Sequence, residues 1–357
     1  MRVFDSRGAE LKTAGMDSPH TTKKKAIGPQ MGRRAVLTGA GAAALAGVVM
    51  QVGSSEAAAA QGADKQQPAR GSGFAAFEWL GNAGWRISTP TTTLLLDPYL
   101  SRFDTGLAAG AFNETTPLTL DPTAITSALG SPGDGRPAVS AILVTHTHWD
   151  HFADVPHIAA TWKSTVYTTL TGYQLGIAMG LPSTQLAVVK GGEELNVGDA
   201  VVRVVRSLHS RNGAGGLTFP GVRMDAPPPP ATIADLLEGD TIGFVIRPGV
   251  GQPGVLLLGG SDYDDHELQG LDVDTVALPV PSNGFTADYA GRLLRALDKP
   301  GTIILVHWDD FESPLRTPPK TDDKTRGRMA ALTADIKRIS PRTRVVEPTY
   351  LTPMQLL

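Results

Sequence analysis

The stretch VTHTHWDHFAD, Val144–Asp154, follows the apolar run AVSAILV at 138–144. It holds four side chains that can bind a metal ion, His146, His148, Asp150 and His151. The chain has only eight histidines, so three within six residues form a concentrated cluster. Burying such groups costs about 1–3 kcal/mol for each one that is left without a partner. The stretch therefore predicts a metal site at the end of a buried strand.

Further candidate ligands stand where later apolar runs end. His209 ends VVRVVRSLH, Asp262 follows GVLLLGGS, and His307 ends TIILVH. The H-x-H-x-D-H motif can offer ligands to two ions, but it cannot complete two sites because each zinc ion needs three or four protein ligands. We therefore expect His209, Asp262 and His307 to join the motif along one edge of the fold.

The composition limits both the fold and the chemistry. The chain has 357 residues with 40 Gly, 27 Pro and no Cys. Frequent Gly and Pro are typical of short strands that are joined by many tight turns. The absence of Cys excludes disulfides, thiolate metal sites and Cys nucleophiles. Any bound metal must therefore be held by His and carboxylate side chains.

The apolar runs predict strands in two groups with helices outside them, which is an α/β sandwich. FAAFEWLGNAGWRI at 74–87 and TTLLLDPYL at 92–100 predict two strands around a turn at Thr89–Thr91. Helices are predicted at Ile125–Leu129, Ala287–Leu297 and Arg326–Ile339. The segments 104–137 and 210–231 lack strand periodicity, so we expect long surface connections there.

The first sixty residues have the order of parts of an export signal. Lys23–Lys25 and the pair Arg33–Arg34 precede a weakly apolar segment at 35–52, and small residues follow at 58–60. Paired arginines indicate the twin-arginine machinery as partner and a periplasmic or extracellular location. A disordered basic tail, or an uncleaved signal that anchors the protein to a membrane, is the alternative interpretation. The predicted domains are this signal at 1–60, a flexible linker at 61–73 and a catalytic domain at 74–357.

The net charge argues against a nucleic-acid partner. Residues 1–60 hold eight of the 32 basic and four of the 35 acidic residues, so the remainder has a net charge of about −7. Nucleic-acid binding relies on clustered Lys and Arg that neutralise phosphates. The oligomeric state is left open by the sequence.

HTHWDH and the three later positions, in this order, resemble the metallo-β-lactamase superfamily. WLGNAGWRI and TTLLLDPYL resemble the start of its ascorbate-phosphate-lactonase-like and N-acyl-phosphatidylethanolamine-phospholipase-D-like branch. The resemblance spans about residues 75–350 and implies an αββα sandwich. Members of that branch often have His where Asn82 stands in this chain.

The resemblance also implies the site. One ion would bind His146, His148 and His209, and the other would bind Asp150, His151 and His307. Asp262 would bridge the two ions and Asp97 would support the ligands from behind. Asn82 and His266 are the remaining candidates for supporting or substrate contacts. The implied cofactor is a pair of divalent ions. The His-rich ligand set favours zinc, with manganese or iron as alternatives.

This site predicts a hydrolase. Two cations about 3.5–4 Å apart lower the pKa of a shared water toward ~7, which gives a bridging hydroxide that Asp150 orients. The expected function is an exported dinuclear hydrolase of an ester, lactone or phosphodiester bond in a small-molecule or lipid-like substrate. The H-x-E arrangement of the diiron oxygen-reducing members is absent, which favours hydrolysis over redox chemistry. The alternative is a metal-binding or scaffold protein of the same fold without turnover.

Overall fold

The computed structural model describes residues 75–135, 138–247, 253–280 and 282–356. The predicted export signal and linker lie outside these residues. The described residues form two seven-stranded sheets. None of the helices that they contain is both long enough and apolar enough to cross a bilayer.

The first sheet holds the amino-terminal strands and one strand from the carboxyl end. In chain order its strands are β1 (Ala76–Gly81), β2 (Gly84–Ser88), β3 (Thr93–Leu96), β4 (Val139–Leu143), β5 (Thr165–Thr168), β6 (Leu186–Val188) and β14 (Pro353–Gln355). Their order across the sheet is β14-β1-β2-β3-β4-β5-β6. Strands β3 to β6 run parallel, so their carboxyl ends lie at the same edge of the sheet.

The second sheet holds the remaining strands. They are β7 (Glu194–Val197), β8 (Ala200–Arg206), β9 (Ile242–Arg247), β10 (Gly254–Leu257), β11 (Val273–Pro279), β12 (Thr302–Val306) and β13 (Arg344–Val346). Their order is β13-β12-β11-β10-β9-β8-β7. Strands β10 to β13 are parallel, and β7 to β10 are antiparallel.

Seven α-helices are found in the described part of the chain. They are α1 (Pro122–Leu129), α2 (Trp149–Phe152), α3 (Val155–Trp162), α4 (Leu170–Ala178), α5 (Asp265–Leu268), α6 (Tyr289–Ala296) and α7 (Asp323–Ile339). Single 3-10 turns lie at Ser183–Gln185, Ile233–Asp235 and Asn283–Phe285. The three predicted helices correspond to α1, α6 and α7.

The layers follow from the two-residue period of the strands. Leu94 and Leu96 of β3 are buried with residues of the second sheet, such as Phe244. Leu95 points to the opposite face and is buried with helical residues such as Ile158 of α3. Helices α6 and α7 add buried leucines to the other side of the core. Successive side chains of a strand point to opposite faces, so each sheet is apolar on both faces and needs an outer helical layer. The predicted αββα sandwich is confirmed.

The main departure from the predicted strands lies near the start. The run at 74–87 is split into β1 and β2 by a tight turn at Asn82, whose φ is 52°. The predicted turn that begins at Thr89 is present, and the Thr89 amide donates to the Thr92 carbonyl at 2.8 Å. Strand β14 pairs antiparallel with β1 and so adds a strand from the carboxyl end of the chain to the first sheet.

Candidate metal centre

The site residues follow the ends of strands that share one edge of the sandwich. Asp97 follows β3, and the HTHWDH motif follows β4 and continues into α2. From the second sheet, His209 follows β8 and His307 follows β12. The parallel pairing of β3 with β4 is what brings Asp97 beneath the motif, because the carboxyl ends of parallel strands meet at one edge.

Two groups of three side chains form at this edge. The first group is His146, His148 and His209, and the second is Asp150, His151 and His307. Within each group one ligand atom per residue lies within 4.8 Å of the others. The groups adjoin through the imidazoles of His146 and His151, whose ring centroids are 3.9 Å apart. The structure therefore brings together six of the seven residues that the sequence predicts as ligands.

In each imidazole of the first group, one ring nitrogen is hydrogen-bonded to an oxygen atom of the protein. His146 Nδ1 lies 3.1 Å from the Thr145 hydroxyl, and His148 Nε2 lies 2.8 Å from the Thr218 carbonyl. His209 Nδ1 lies 2.8 Å from the carbonyl of Ser210. These contacts fix the tautomer and leave the opposite nitrogen as an acceptor, which is how metal-binding histidines are oriented. His146 Nε2 is buried without a hydrogen-bond partner, so the donor set fits a cation.

The first group is electrically neutral around pH 7. Burial lowers the pKa of His148 to about 3 and that of His209 to about 4. Burial, together with the neighbouring imidazoles, also lowers the pKa of His146 well below its usual value. The neutral imidazole is the form that binds a metal ion. The first group therefore offers a metal ion three neutral imidazole nitrogens that lie close together.

The second group is richer in negative charge. His151 Nδ1 lies 2.8 Å from Asp97 Oδ2, and His307 Nε2 lies 3.2 Å from Asp150 Oδ2. Although burial lowers it, the pKa of His151 is raised to about 10 by the carboxylates of Asp150 and Asp97. Burial raises the pKa of Asp150, but His151 and His307 hold it well below its usual range. A cation bound here would take the place of the His151 proton.

Asn82 lies at the centre, as the sequence predicts for a supporting residue. Its side-chain amide donates to the Asp150 carbonyl and lies 3.3 Å from Asp150 Oδ2. Its own carbonyl accepts from the His307 amide at 2.8 Å. Asn82, Asp97 and His307 all have positive φ, at 52°, 41° and 58°. Such strained conformations in non-glycine residues cluster at functional sites.

A buried ion pair behind Asn82 was not predicted. Arg102 Nη2 lies 2.7 Å from Asp309 Oδ2, and both side chains are at most 1% exposed. Asp309 also accepts from the Tyr350 hydroxyl at 2.7 Å and from the Asn82 amide at 2.9 Å. The Asp309 carboxylate is therefore buried and paired with Arg102 rather than solvated. Asp309 thereby anchors the turn that carries Asn82.

Asp262 does not enter either group. Its carboxylate lies 3.3 Å from Arg292 Nη1 and accepts from the Tyr263 amide at 2.9 Å. An antiparallel bridge pairs Asp262 with Leu208, so the next pair in this register is Ser261 with His209. Adjacent residues of a strand point to opposite faces. The predicted bridging position of Asp262 is not supported, because its carboxylate contacts Arg292 and joins neither ligand group.

His266 also lies apart from both groups. It is exposed on the short helix α5, and its backbone amide donates to Asp264. Neither of the two cavities beside the metal groups is lined by it. His266 therefore has no contact in this structure that would support the predicted supporting or substrate role.

Two cavities flank the groups. One of about 800 Å³ opens beside His209, and Arg206, Arg211 and Glu238 are among its lining residues. The other, of about 370 Å³, opens beside His307 and is walled by Phe311 and the start of α7. If the scissile bond of a substrate lies at the two groups, the cavities can therefore receive the parts of the substrate on either side of that bond.

Comparison with known proteins agrees with this architecture. A β-lactamase superfamily domain model matches residues 76–298. A UPF0173 metal-dependent hydrolase of Anaeromyxobacter sp. (strain K) is 27% identical over 291 residues, which cover 77% of this chain and 88% of the relative. One of Halobacterium salinarum (strain ATCC 29341 / DSM 671 / R1) is 31% identical over 214 residues, covering 57% and 70%.

A solved structure of an isothiocyanate hydrolase from Delia radicum gut bacteria is similar with a TM-score of 0.49 and 19% identity, covering 78% of this chain and 98% of that one. The domain model spans more than half of the chain. The chain belongs to the β-lactamase superfamily and, like the relatives matched in sequence, is a metal-dependent hydrolase.

Proposed function

We propose that this hydrolase works with two divalent ions and cleaves an ester, lactone or phosphodiester bond. The observation that carries the proposal is the pairing of two three-ligand groups around the adjoining rings of His146 and His151. When bound, such a pair of ions supplies an activated water and polarises the scissile carbonyl or phosphoryl group. The neutral imidazoles of the first group and the Asp150 carboxylate of the second group are both suited to hold a cation.

The side chains around the ions have separate tasks in this proposal. Asp150 is aligned by the side-chain amide of Asn82, which lies 3.3 Å from its Oδ2, so its carboxylate is positioned to orient the attacking water. Asp97 binds His151 and also accepts from the Thr145 amide at 2.8 Å. It thereby couples the positions of the two groups. No side-chain nucleophile is needed for this reaction class.

Metal removal and restoration test the proposal. Chelator-treated protein is expected to lose turnover of at least one probe from a panel of lactones, p-nitrophenyl esters and bis-p-nitrophenyl phosphate. Added Zn²⁺ or Mn²⁺ is expected to restore it and to raise the melting temperature, since a ligand that binds only the folded state stabilises it. Full turnover after complete metal removal would contradict the metal-dependent mechanism. A metal-loaded protein that turns over no probe would favour the binding or scaffold alternative.

We also propose export by the twin-arginine route, on the basis of Arg33 and Arg34 ahead of an apolar segment. Replacing both arginines by lysine is expected to retain the precursor in the cytoplasm, because paired arginines are what this route recognises. Cell fractionation followed by immunoblotting measures the outcome. Unchanged export of the double variant would overturn the assignment of this route.

A further inference from the structure

The cavity beside His307 is lined by both apolar and cationic side chains. Trp308, Phe311 and Leu107 form an apolar wall, and the Phe311 ring lies 5.1 Å from the His307 ring. The lining also includes Lys324 and Arg328 of α7. His307 belongs to the second metal group, so the cavity leads directly from that group. A substrate that extends from the groups into this cavity would therefore have aromatic and cationic side chains within reach.

Each carboxylate that lines the cavity is engaged by another part of the protein. Asp309 is paired with Arg102 at 2.7 Å, and Asp310 is paired with Lys320 at 2.8 Å. Glu312 accepts from the backbone amides of Leu107 and Ala108, and Asp322 accepts from the Thr325 amide as the N-cap of α7. Each of these carboxylates therefore already has a hydrogen-bond or ion-pair partner of its own.

Lys324 and Arg328 are placed differently. They are four residues apart on α7, so they lie on the same face of the helix. Neither forms a salt bridge or a side-chain hydrogen bond among the residues that the structure describes, although both lie within electrostatic range of Asp322. Arg328 is half-buried at the cavity wall. The cavity therefore offers cationic donors with unused hydrogen-bonding capacity.

We propose that this cavity binds an anionic group of the substrate, a carboxylate or a phosphate, remote from the bond that is cleaved. The inference rests on the proposed hydrolase function and names its substrate class. A guanidinium matches the geometry of a carboxylate or phosphate, and its hydrogen bonds to an anion are stronger than neutral ones. The aromatic wall receives the apolar part of the substrate between the scissile bond and the anion.

Matched esters test the proposal. The probes are the p-nitrophenyl monoester of glutaric acid, the p-nitrophenyl ester of phosphonobutyric acid and the uncharged p-nitrophenyl pentanoate. The metal-loaded wild type is expected to prefer one of the charged probes over the pentanoate in kcat/KM, and the preferred probe identifies the anion. The double variant Lys324→Gln/Arg328→Gln is expected to raise KM for that probe about tenfold, the size of one lost charged hydrogen bond. Its kcat/KM for the pentanoate is expected to stay within about twofold.

A binding measurement provides a readout that needs no turnover. Calorimetric titration of chelator-treated protein with the p-nitroanilide of glutaric acid, and with its phosphonate counterpart, is expected to show about tenfold weaker binding of the favoured anion by the double variant. Arg338→Gln is the matched control, since Arg338 lies on α7 but pairs with Asp335 and does not line the cavity. That variant is expected to bind like the wild type.

The outcomes separate the inference from the proposed function. Equal loss for charged and uncharged probes, or unchanged binding of both anions by the double variant, would overturn the anion site and leave the hydrolase proposal intact. Failure of the loaded wild type to cleave any probe, with anion binding still weakened in the double variant, would overturn the hydrolase and support the cavity's preference for anions.

Discussion

Asp150→Ala is expected to lower kcat by about 10³-fold or more and to remove one of two bound ions. Asp150 is the only carboxylate of the second ligand group, and its Oδ2 lies 3.2 Å from His307 Nε2. Its loss removes both a metal ligand and the group that orients the attacking water, and each of these contributions is worth several kcal/mol. Steady-state kinetics and elemental analysis of the same preparation measure the two effects.

Folding must be separated from chemistry in that experiment. The melting temperature of Asp150→Ala is therefore compared with that of the metal-free wild type, because lost metal alone lowers stability. His157→Ala is a suitable control, since His157 lies in α3 outside both metal groups. It is expected to retain kcat and both ions. Near-normal turnover of Asp150→Ala with two ions still bound would contradict the role assigned to this carboxylate.

Arg102→Ala is expected to lower the free energy of unfolding by about 3–5 kcal/mol. The substitution leaves the Asp309 carboxylate buried at 0% side-chain exposure without its cationic partner. Breaking a buried pair costs this much because the remaining charge stays out of water. Urea denaturation monitored by tryptophan fluorescence measures the change.

Arg338→Ala supplies the matched control for the ion pair. Arg338 and Asp335 also form a pair, at 3.1 Å, but their side chains are 69% and 57% exposed. An exposed pair contributes only about 0–1 kcal/mol. A loss below about 1 kcal/mol for Arg102→Ala would show that the Arg102–Asp309 pair does not hold the Asn82 turn in place.

Most of the candidate site could be predicted from sequence because its residues are of metal-binding type and stand directly after apolar strands. The strands before them end at the same edge of the sandwich, so His146, His209 and His307 converge although they are far apart in the chain. The structure places Asp262 outside both groups, although the resemblance implies that it bridges the two ions. A shift of one residue in register moves a side chain to the other face of a strand, and the pairing of Leu208 with Asp262 is not visible in the sequence.

The contacts that hold the metal-binding side chains in place could not be predicted, because no local sequence pattern indicates them. The Thr218 carbonyl that holds His148 belongs to a loop without strand periodicity, and its backbone role is independent of its side chain. Arg102 and Asp309 meet across 207 residues of chain. Gly259 is a further case. A Cβ there would lie 1.9 Å from the Thr145 hydroxyl, so only glycine lets the chain that follows β10 pass beside Thr145, the residue before His146.

The metal content of purified protein tests the central claim most directly. Protein prepared without chelators and measured by inductively coupled plasma mass spectrometry is expected to carry about two divalent ions per chain, one for each ligand group. Asp262→Asn is expected to retain both ions, because the Asp262 carboxylate faces Arg292. One ion or none in the metal-supplemented wild type would contradict the dinuclear site.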